Sequence, residues 1–215
     1  DIAQQSDVVV AVLGEPRSWS GEASSLADIS LQDCQRRLLE RLLETGKPVV
    51  LVLSNGRPMT LSWENQQVDA MLEAWHAGVE AGNGVADVLF GDYNPAGKLT
   101  MTFPREVGQI PIYYNHNQTG RPETGTSMWT SRYLDVPTSP LFPFGYGLSY
   151  TTFEYGDIRL SQESLTGDDT LTASVTVTNT GNYRGEETVQ LYINDPAASV
   201  SRPVKELKGF RKIEL

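Results

Sequence analysis

PVVLVLSNG, residues 48–56, is an unbroken aliphatic run that closes on Asn-Gly. A run of strand length without polar alternation reads as a strand covered on both faces, the setting of a parallel sheet. The residues upstream say how it is connected. LQDCQRRLLERLLETGKP, residues 31–48, places Leu31, Cys34, Leu38, Leu39, Leu42 and Leu43 on one helical face with charges opposite, and Gly46 and Pro48 act as stop signals. Before that helix stands a second aliphatic run, DVVVAVLG, residues 7–14. Strand, helix and strand in this order predict a crossover between parallel neighbours. DAMLEAW, residues 69–75, is expected as a third short strand, although Met71, Leu72 and Trp75 also fit helical spacing. AGNGVADVLFG, residues 81–91, reads as a helix with glycine at both ends.

Further along, the helices give out. KLTMTFP, residues 98–104, reads as a strand, and the segment from Arg105 to Tyr150, rich in Pro, Gly, Thr and Tyr, is expected to lie over the surface. LTASVTVTNTG and EETVQLYIND alternate apolar and polar residues and are expected to pair as an antiparallel hairpin across TGNYRG, residues 180–185. This is a second, all-β unit. An immunoglobulin-like sandwich takes about 100 residues, and only about sixty follow Phe153. The chain is therefore expected to be a piece of a larger polypeptide.

A chain of 215 residues, 39% hydrophobic, can bury one substantial core and a smaller second one. The net charge of -10 opposes a polyphosphate or anionic membrane partner, which clustered lysine and arginine would hold. No apolar stretch approaches the roughly 18 residues that span a bilayer. Cys34 is the single cysteine, so no internal disulfide is possible; its residue type and position read as a small core hydrophobe on the inner face of its helix.

In open parallel sheets, chemistry collects beyond the carboxyl ends of the strands. The three expected strands bring Glu15, Arg17, Trp19 and Glu22 to that rim, then Asn55, Gly56 and Arg57, then Trp75, His76 and Glu80. An apolar wall such as Trp19 can raise a carboxyl pKa toward neutrality and make a proton donor. Each glutamate also has a plainer reading, as a solvated loop residue or, for Glu22, as a charge favouring the dipole of the next helix. His76 and His116 have no second histidine or cysteine at ligand spacing, so neither a metal nor a cofactor is expected. Gly82 and Gly84 lack the rest of a dinucleotide fingerprint and are read as helix packing. Asn117-Gln118-Thr119 matches a glycosylation sequon, a frequent chance pattern.

Several segments read together. SDVVVAVLGE, GKPVVLVLSNGRP, VLFGDYNPAGKLTMTFPR, PLFPFGYGLSYTTFEY and SVSRPVKELKGF, in this order, resemble the C-terminal half of glycoside hydrolase family 3, in the form found in bacterial periplasmic β-glucosidases. The resemblance covers nearly the whole chain. It implies an incomplete α/β sandwich domain on a mostly parallel sheet over residues 1–110, a connecting segment over 111–152, and a truncated all-β fibronectin type III-like domain over 153–215. It also implies an N-terminal barrel as partner, and hydrolysis of terminal β-linked glucosyl residues with retention. The barrel's aspartate is then the nucleophile and a glutamate of the sandwich domain the acid/base. No cofactor is implied, and the expected location is periplasmic or secreted.

The family's frequent pattern, Glu-Gly-x-Asp-Arg before a Leu-x-Leu stretch, meets Glu22-Ala23-Ser24-Ser25 before Ile29-Ser30-Leu31 here, without the Asp-Arg pair. Glu22 is the expected acid/base, with Glu15 the alternative, since Arg57 could pair with Glu15. Trp19 could stack on a pyranose or serve as a loop anchor. Tyr113, Tyr146 and Tyr150 are expected to staple the connecting segment to the domain surfaces. The competing readings are a non-catalytic carbohydrate-binding module and, resting only on AGNG and the crossover, a nucleotide-binding domain.

Overall fold

The computed structural model describes residues 2–123 and 127–215. After a short helix α1 (Ile2–Gln5), strands β1 (Val9–Gly14), β2 (Val49–Ser54) and β3 (Ala70–Glu73) form a parallel sheet in the order β1-β2-β3. Registers of Val9 on Val49 and Val50 on Ala70 bring Gly14, Ser54 and Glu73 together at one rim. Helix α2 (Asp33–Leu43) makes the crossover, α3 (Ser62–Gln67) leads into β3, and α4 (Ala81–Phe90) follows it. The aliphatic run Val49–Leu53 is central, and Val49, Leu51, Val52 and Leu53 are all buried. They pack with Ala11, Leu31, Leu39, Met59, Leu61 and Phe103 as one core.

Three expectations about this unit are corrected. β1 is covered on one face only: Ala11 is buried, whereas Val8, Val10 and Val12 are exposed on the other side. Cys34 is exposed, and Leu38 is half exposed. The stripe that meets the sheet runs through Gln35, Leu39, Leu42 and Leu43, and Leu38 and then Cys34 lie progressively to one side of it. Gly82 and Gly84 are not packing glycines, since a Cβ at either would meet nothing within 4 Å.

KLTMTFP forms no strand. It runs beside residues 141–146, with a single bridge between Phe103 and Phe142 and further backbone bonds from Leu99 to Tyr146 and from Gly145 to Leu99. The segment expected to lie over the surface is accordingly part of the interior at its end: Leu141 and Phe142 pack on the core and Thr151 is buried.

The β unit pairs differently from the sequence expectation. β4 (Phe153–Tyr155) pairs with β7 (Val177–Asn179), β5 (Arg159–Leu160) with β6 (Ala173–Ser174), and β8 (Glu186–Ile193) with β9 (Glu206–Glu214), all antiparallel. TGNYRG therefore crosses between sheets instead of turning a hairpin. Asn179 fixes the crossing, donating from Nδ2 to the carbonyls of Tyr183 (2.8 Å) and Leu215 (3.2 Å). Of the expected tyrosine staples, Tyr150 donates to the carbonyl of Val88 in α4 (2.7 Å) and Tyr146 stacks on Phe142. Tyr113 is exposed. Its neighbour Tyr114 does that work, stacked on Phe144 with centroids 4.3 Å apart and set edge-on to Tyr192.

Candidate active site

The rim is assembled by close approach of backbone. Gly14 ends β1 at φ 139°, and a Cβ there would lie 2.1 Å from the Ser54 carbonyl oxygen, so only glycine lets the chain leave the sheet at this point. Its backbone is clamped by one side chain of α2: Gln35 accepts from the Gly14 N–H (2.9 Å) and donates to its carbonyl (2.8 Å). Glu15 comes next and turns inward. It is 7% exposed, with Oε2 accepting from the Gly56 N–H (3.2 Å) and Oε1 standing 2.9 Å from Arg57 Nε. Those two last atoms meet at an angle too bent for a directed hydrogen bond, so the contact is an ion pair.

The chain then makes a short 3₁₀ turn, Arg17–Trp19, and runs as an irregular loop to Ile29 and Leu31, both buried. Ile29 is held by Thr60, whose N–H donates to the Ile29 carbonyl (3.1 Å). The Ile29-Ser30-Leu31 stretch thus anchors the far end of the loop. Glu22 is exposed near the middle, and among the described residues its carboxylate has no ion-pair or hydrogen-bond partner. It is flanked by Gly21 at φ 121° and Ala23 at φ 61°. Arg57 reaches into the loop, donating from one terminal nitrogen to the carbonyls of Trp19 and Ser24 (2.8 Å to the latter). Trp19 is 37% exposed, and the carbonyl it offers Arg57 makes its backbone a loop anchor.

The third strand supplies a residue that sequence reasoning missed. Glu73 ends β3, accepting from the Trp75 N–H (2.8 Å) and from Asn55 Nδ2 (3.2 Å). Burial pushes its carboxyl up to about 7, against the pull of those two hydrogen bonds. Asn55 is fully buried and also donates to the Arg57 carbonyl (2.8 Å). The signal was an acidic residue inside an otherwise apolar strand of residues 70–75. Trp75, at φ 50°, packs on Phe103 with centroids 5.8 Å apart. His76 and Glu80 are exposed; Arg17, Trp75 and His76 border a cleft of about 560 Å³ floored by Val12, Val52 and Ala74. His116 is exposed, with Nδ1 3.1 Å from the Asn117 carbonyl.

Residues 1–150 match the Glycosyl hydrolase family 3 C-terminal domain, and residues 187–215 match the Fibronectin type III-like domain. The chain belongs to glycosyl hydrolase family 3. It is 57% identical over 215 residues to a periplasmic β-glucosidase of Salmonella typhimurium and 47% identical over 214 residues to a β-xylosidase of Formosa agariphila. Each alignment covers 99% of this chain but only 28% and 29% of the respective relative. A crystal structure of β-glucosidase from Listeria innocua in complex with isofagomine superposes with a TM-score of 0.95 at 47% identity, covering 99% of this chain and 30% of that one. Other structures of β-glucosidase from Listeria innocua hold glucose or laminaribiose. The chain thus spans less than a third of the length of the relatives it matches, as a family 3 α/β unit followed by fibronectin type III-like strands. Among the described residues, no helix is long and apolar enough to cross a membrane.

Proposed function

We propose that this chain is the acid/base-bearing part of a retaining, exo-acting β-glucosidase that removes terminal non-reducing β-D-glucosyl residues. Glu22 is its general acid/base. A retaining glycosidase holds two carboxyl groups about 5 to 5.5 Å apart, one attacking the anomeric carbon and one protonating the leaving oxygen. The attacking aspartate belongs to an N-terminal barrel outside these residues. As the barrel aspartate bonds to C1, Glu22 gives its proton to the departing oxygen; the Glu22 carboxylate then takes a proton from the water that displaces the aspartate. Without the barrel the chain has no activity of its own.

The observation that carries this reading is the contrast between the two glutamates of one loop. Glu15 faces into the fold against a guanidinium and a backbone amide, while Glu22 stands outside it, without a side-chain partner among the described residues, where a barrel-bound sugar could reach it. Trp19, beside it on the same loop, offers an indole face for stacking. The glucosidase and xylosidase names of the relatives support β-glycosides as substrates, and the name of the Salmonella typhimurium relative supports a periplasmic or secreted location.

The test is Glu22→Gln in the full-length enzyme. kcat/KM for glucosides with poor leaving groups should fall by about 10²–10⁴, while activated aryl glucosides keep theirs and lose kcat, which azide restores. An equal, small loss for both substrate classes would discard Glu22 and return the role to Glu15.

A further inference from the structure

The backbone around Glu22 is held twice, once by a local turn and once from across the rim. Ala23 is held at φ 61°, a conformation an L-residue adopts at a cost and keeps only where its surroundings fix it. Gly21, on the other side of Glu22, also has positive φ. Locally, residues 21–24 form a turn, the Ser24 N–H donating to the Gly21 carbonyl (3.3 Å) with Ala23 third in it. A second constraint comes from across the rim: the guanidinium of Arg57 binds the carbonyls of Trp19 and Ser24, which bracket that turn, and so ties it to the end of the second strand.

Arg57 is itself fixed at both ends. Its Nε faces Glu15 Oε1 at 2.9 Å, and its carbonyl accepts from the buried Asn55 amide (2.8 Å), which is seated in turn on Glu73 (3.2 Å). Gly56, just before it, lets the loop sit down on the second strand's end, since a Cβ there would lie 2.0 Å from Ser20 Oγ. Arg57 is the residue type this requires. A guanidinium has five N–H donors in a rigid plane and can face a carboxylate and two carbonyls together, whereas an ammonium is a single centre on a flexible stem.

We propose that Arg57 is a positioning residue for the acid/base, holding the backbone on either side of Glu22, with Glu15 as its counter-ion. Glu15 is thereby given a role of its own, outside the chemistry. The inference rests on the assignment of Glu22 in the preceding subsection, and its test is built to fail separately.

In the full-length enzyme, Arg57→Ala and Arg57→Lys are compared with Glu22→Gln on phenyl and 2,4-dinitrophenyl β-glucosides. Displacing a catalytic group by about an ångström costs up to about 10²-fold. Both Arg57 variants should therefore lose 10- to 100-fold in kcat/KM on the phenyl glucoside and less than about threefold on the dinitrophenyl glucoside. Guanidinium chloride at millimolar concentration should restore Arg57→Ala but leave Glu22→Gln unchanged. Amide exchange over residues 19–24 should accelerate in both Arg57 variants and stay as in wild type in Glu22→Gln. If Glu22→Gln shows the leaving-group signature while Arg57→Lys behaves as wild type, or loses both substrates equally, the positioning role is overturned and the acid/base assignment stands. If Glu22→Gln itself lacks that signature, the assignment falls first. Should Arg57→Ala fail to fold, Arg57→Lys, which keeps the charge opposite Glu15, decides the matter by the same two substrates and the same exchange measurement.

Discussion

Three acidic residues meet the same rim in three electrostatic settings. Glu15 is buried against a cation, Glu22 is solvated, and Glu73 is half-buried with two donors and, among the described residues, no cation as partner. Glu73 makes a stability prediction. Burial lifts its carboxyl to about 7 in the folded chain, while the unfolded chain titrates near the ordinary 4.5. Between these values the folded state holds a proton that the unfolded state has lost. Stability is therefore complete below about pH 4.5, declines as pH rises through the window, and bears the full penalty of an ionised half-buried carboxylate above about 7. After solvent screening of the partly exposed side chain the penalty is on the order of 2 kcal/mol. Glu73→Gln removes the titration while keeping an oxygen for the Trp75 N–H. Its melting temperature should exceed that of wild type at pH 8 and match it at pH 5, as thermal unfolding at the two pH values would record. The comparison cancels Glu64, which burial also pushes up. A Gln variant less stable than wild type at pH 8 would mean that the ionised carboxylate, through its two hydrogen bonds, is a net support of the rim.

At the scale of elements, the crossover was legible because residues 7–14 and 48–56 are continuous aliphatic runs of strand length and one helix of period 3.6 stands between them. The helix's exact facing was not legible. Six apolar residues within thirteen positions make a stripe broader than the contact surface, and the actual contact was selected by Gln35, a polar residue that periodicity discards, when it clamped the Gly14 backbone. Leu39 consequently points into the core and is fully buried, while its neighbour Leu38 is 50% exposed. Leu39→Ala should cost about 2–5 kcal/mol in denaturant unfolding. Leu38→Ala should cost less than about 0.5 kcal/mol, because a surface position loses little contact and alanine is the better helix former. Comparable losses at both positions would mean that α2 is rotated from its observed facing. The strand pairing of the β unit escaped for a related reason. Alternation in residues 171–193 identifies strands, but whether TGNYRG turns or crosses depends on Asn179 and its tie to Leu215, a partner thirty-six positions away. Glu22 was proposed from the Ile29-Ser30-Leu31 stretch beyond it, whereas the grip of Arg57 on its flanks depends on distances no spacing encodes.

For the whole molecule, two of the segments that carried the family resemblance, VLFGDYNPAGKLTMTFPR and PLFPFGYGLSYTTFEY, join the α/β unit to the β strands. Asn94, in VLFGDYNPAGKLTMTFPR, accepts at Oδ1 from Ser149 Oγ (2.9 Å) and the Tyr150 N–H (2.8 Å), and donates from Nδ2 to the Arg184 carbonyl (3.1 Å). Lys98 donates to the Gly147 carbonyl (2.8 Å) and pairs with Glu187 of β8 at 3.1 Å, both side chains being largely buried. Gln190 of the same strand donates to the Gly145 carbonyl (3.0 Å). Idiosyncratic sequence here follows from a three-way joint in which every polar group has an assigned partner, and such a joint tolerates few residue types. Lys98→Met strands the Glu187 carboxylate, leaving it only the Tyr155 hydroxyl (2.8 Å), and removing one partner of a buried pair costs about 3–5 kcal/mol. Calorimetry should then show the β strands melting ahead of the α/β unit. The double variant Lys98→Met with Glu187→Leu removes both charges and should recover most of the loss, because replacing a whole buried pair with apolar side chains is often neutral. If the double variant is as unstable as the single one, the joint depends on the hydrogen bonds of Lys98 to Gly147 and of Tyr155 to Glu187, and the ion pair contributes nothing beyond them.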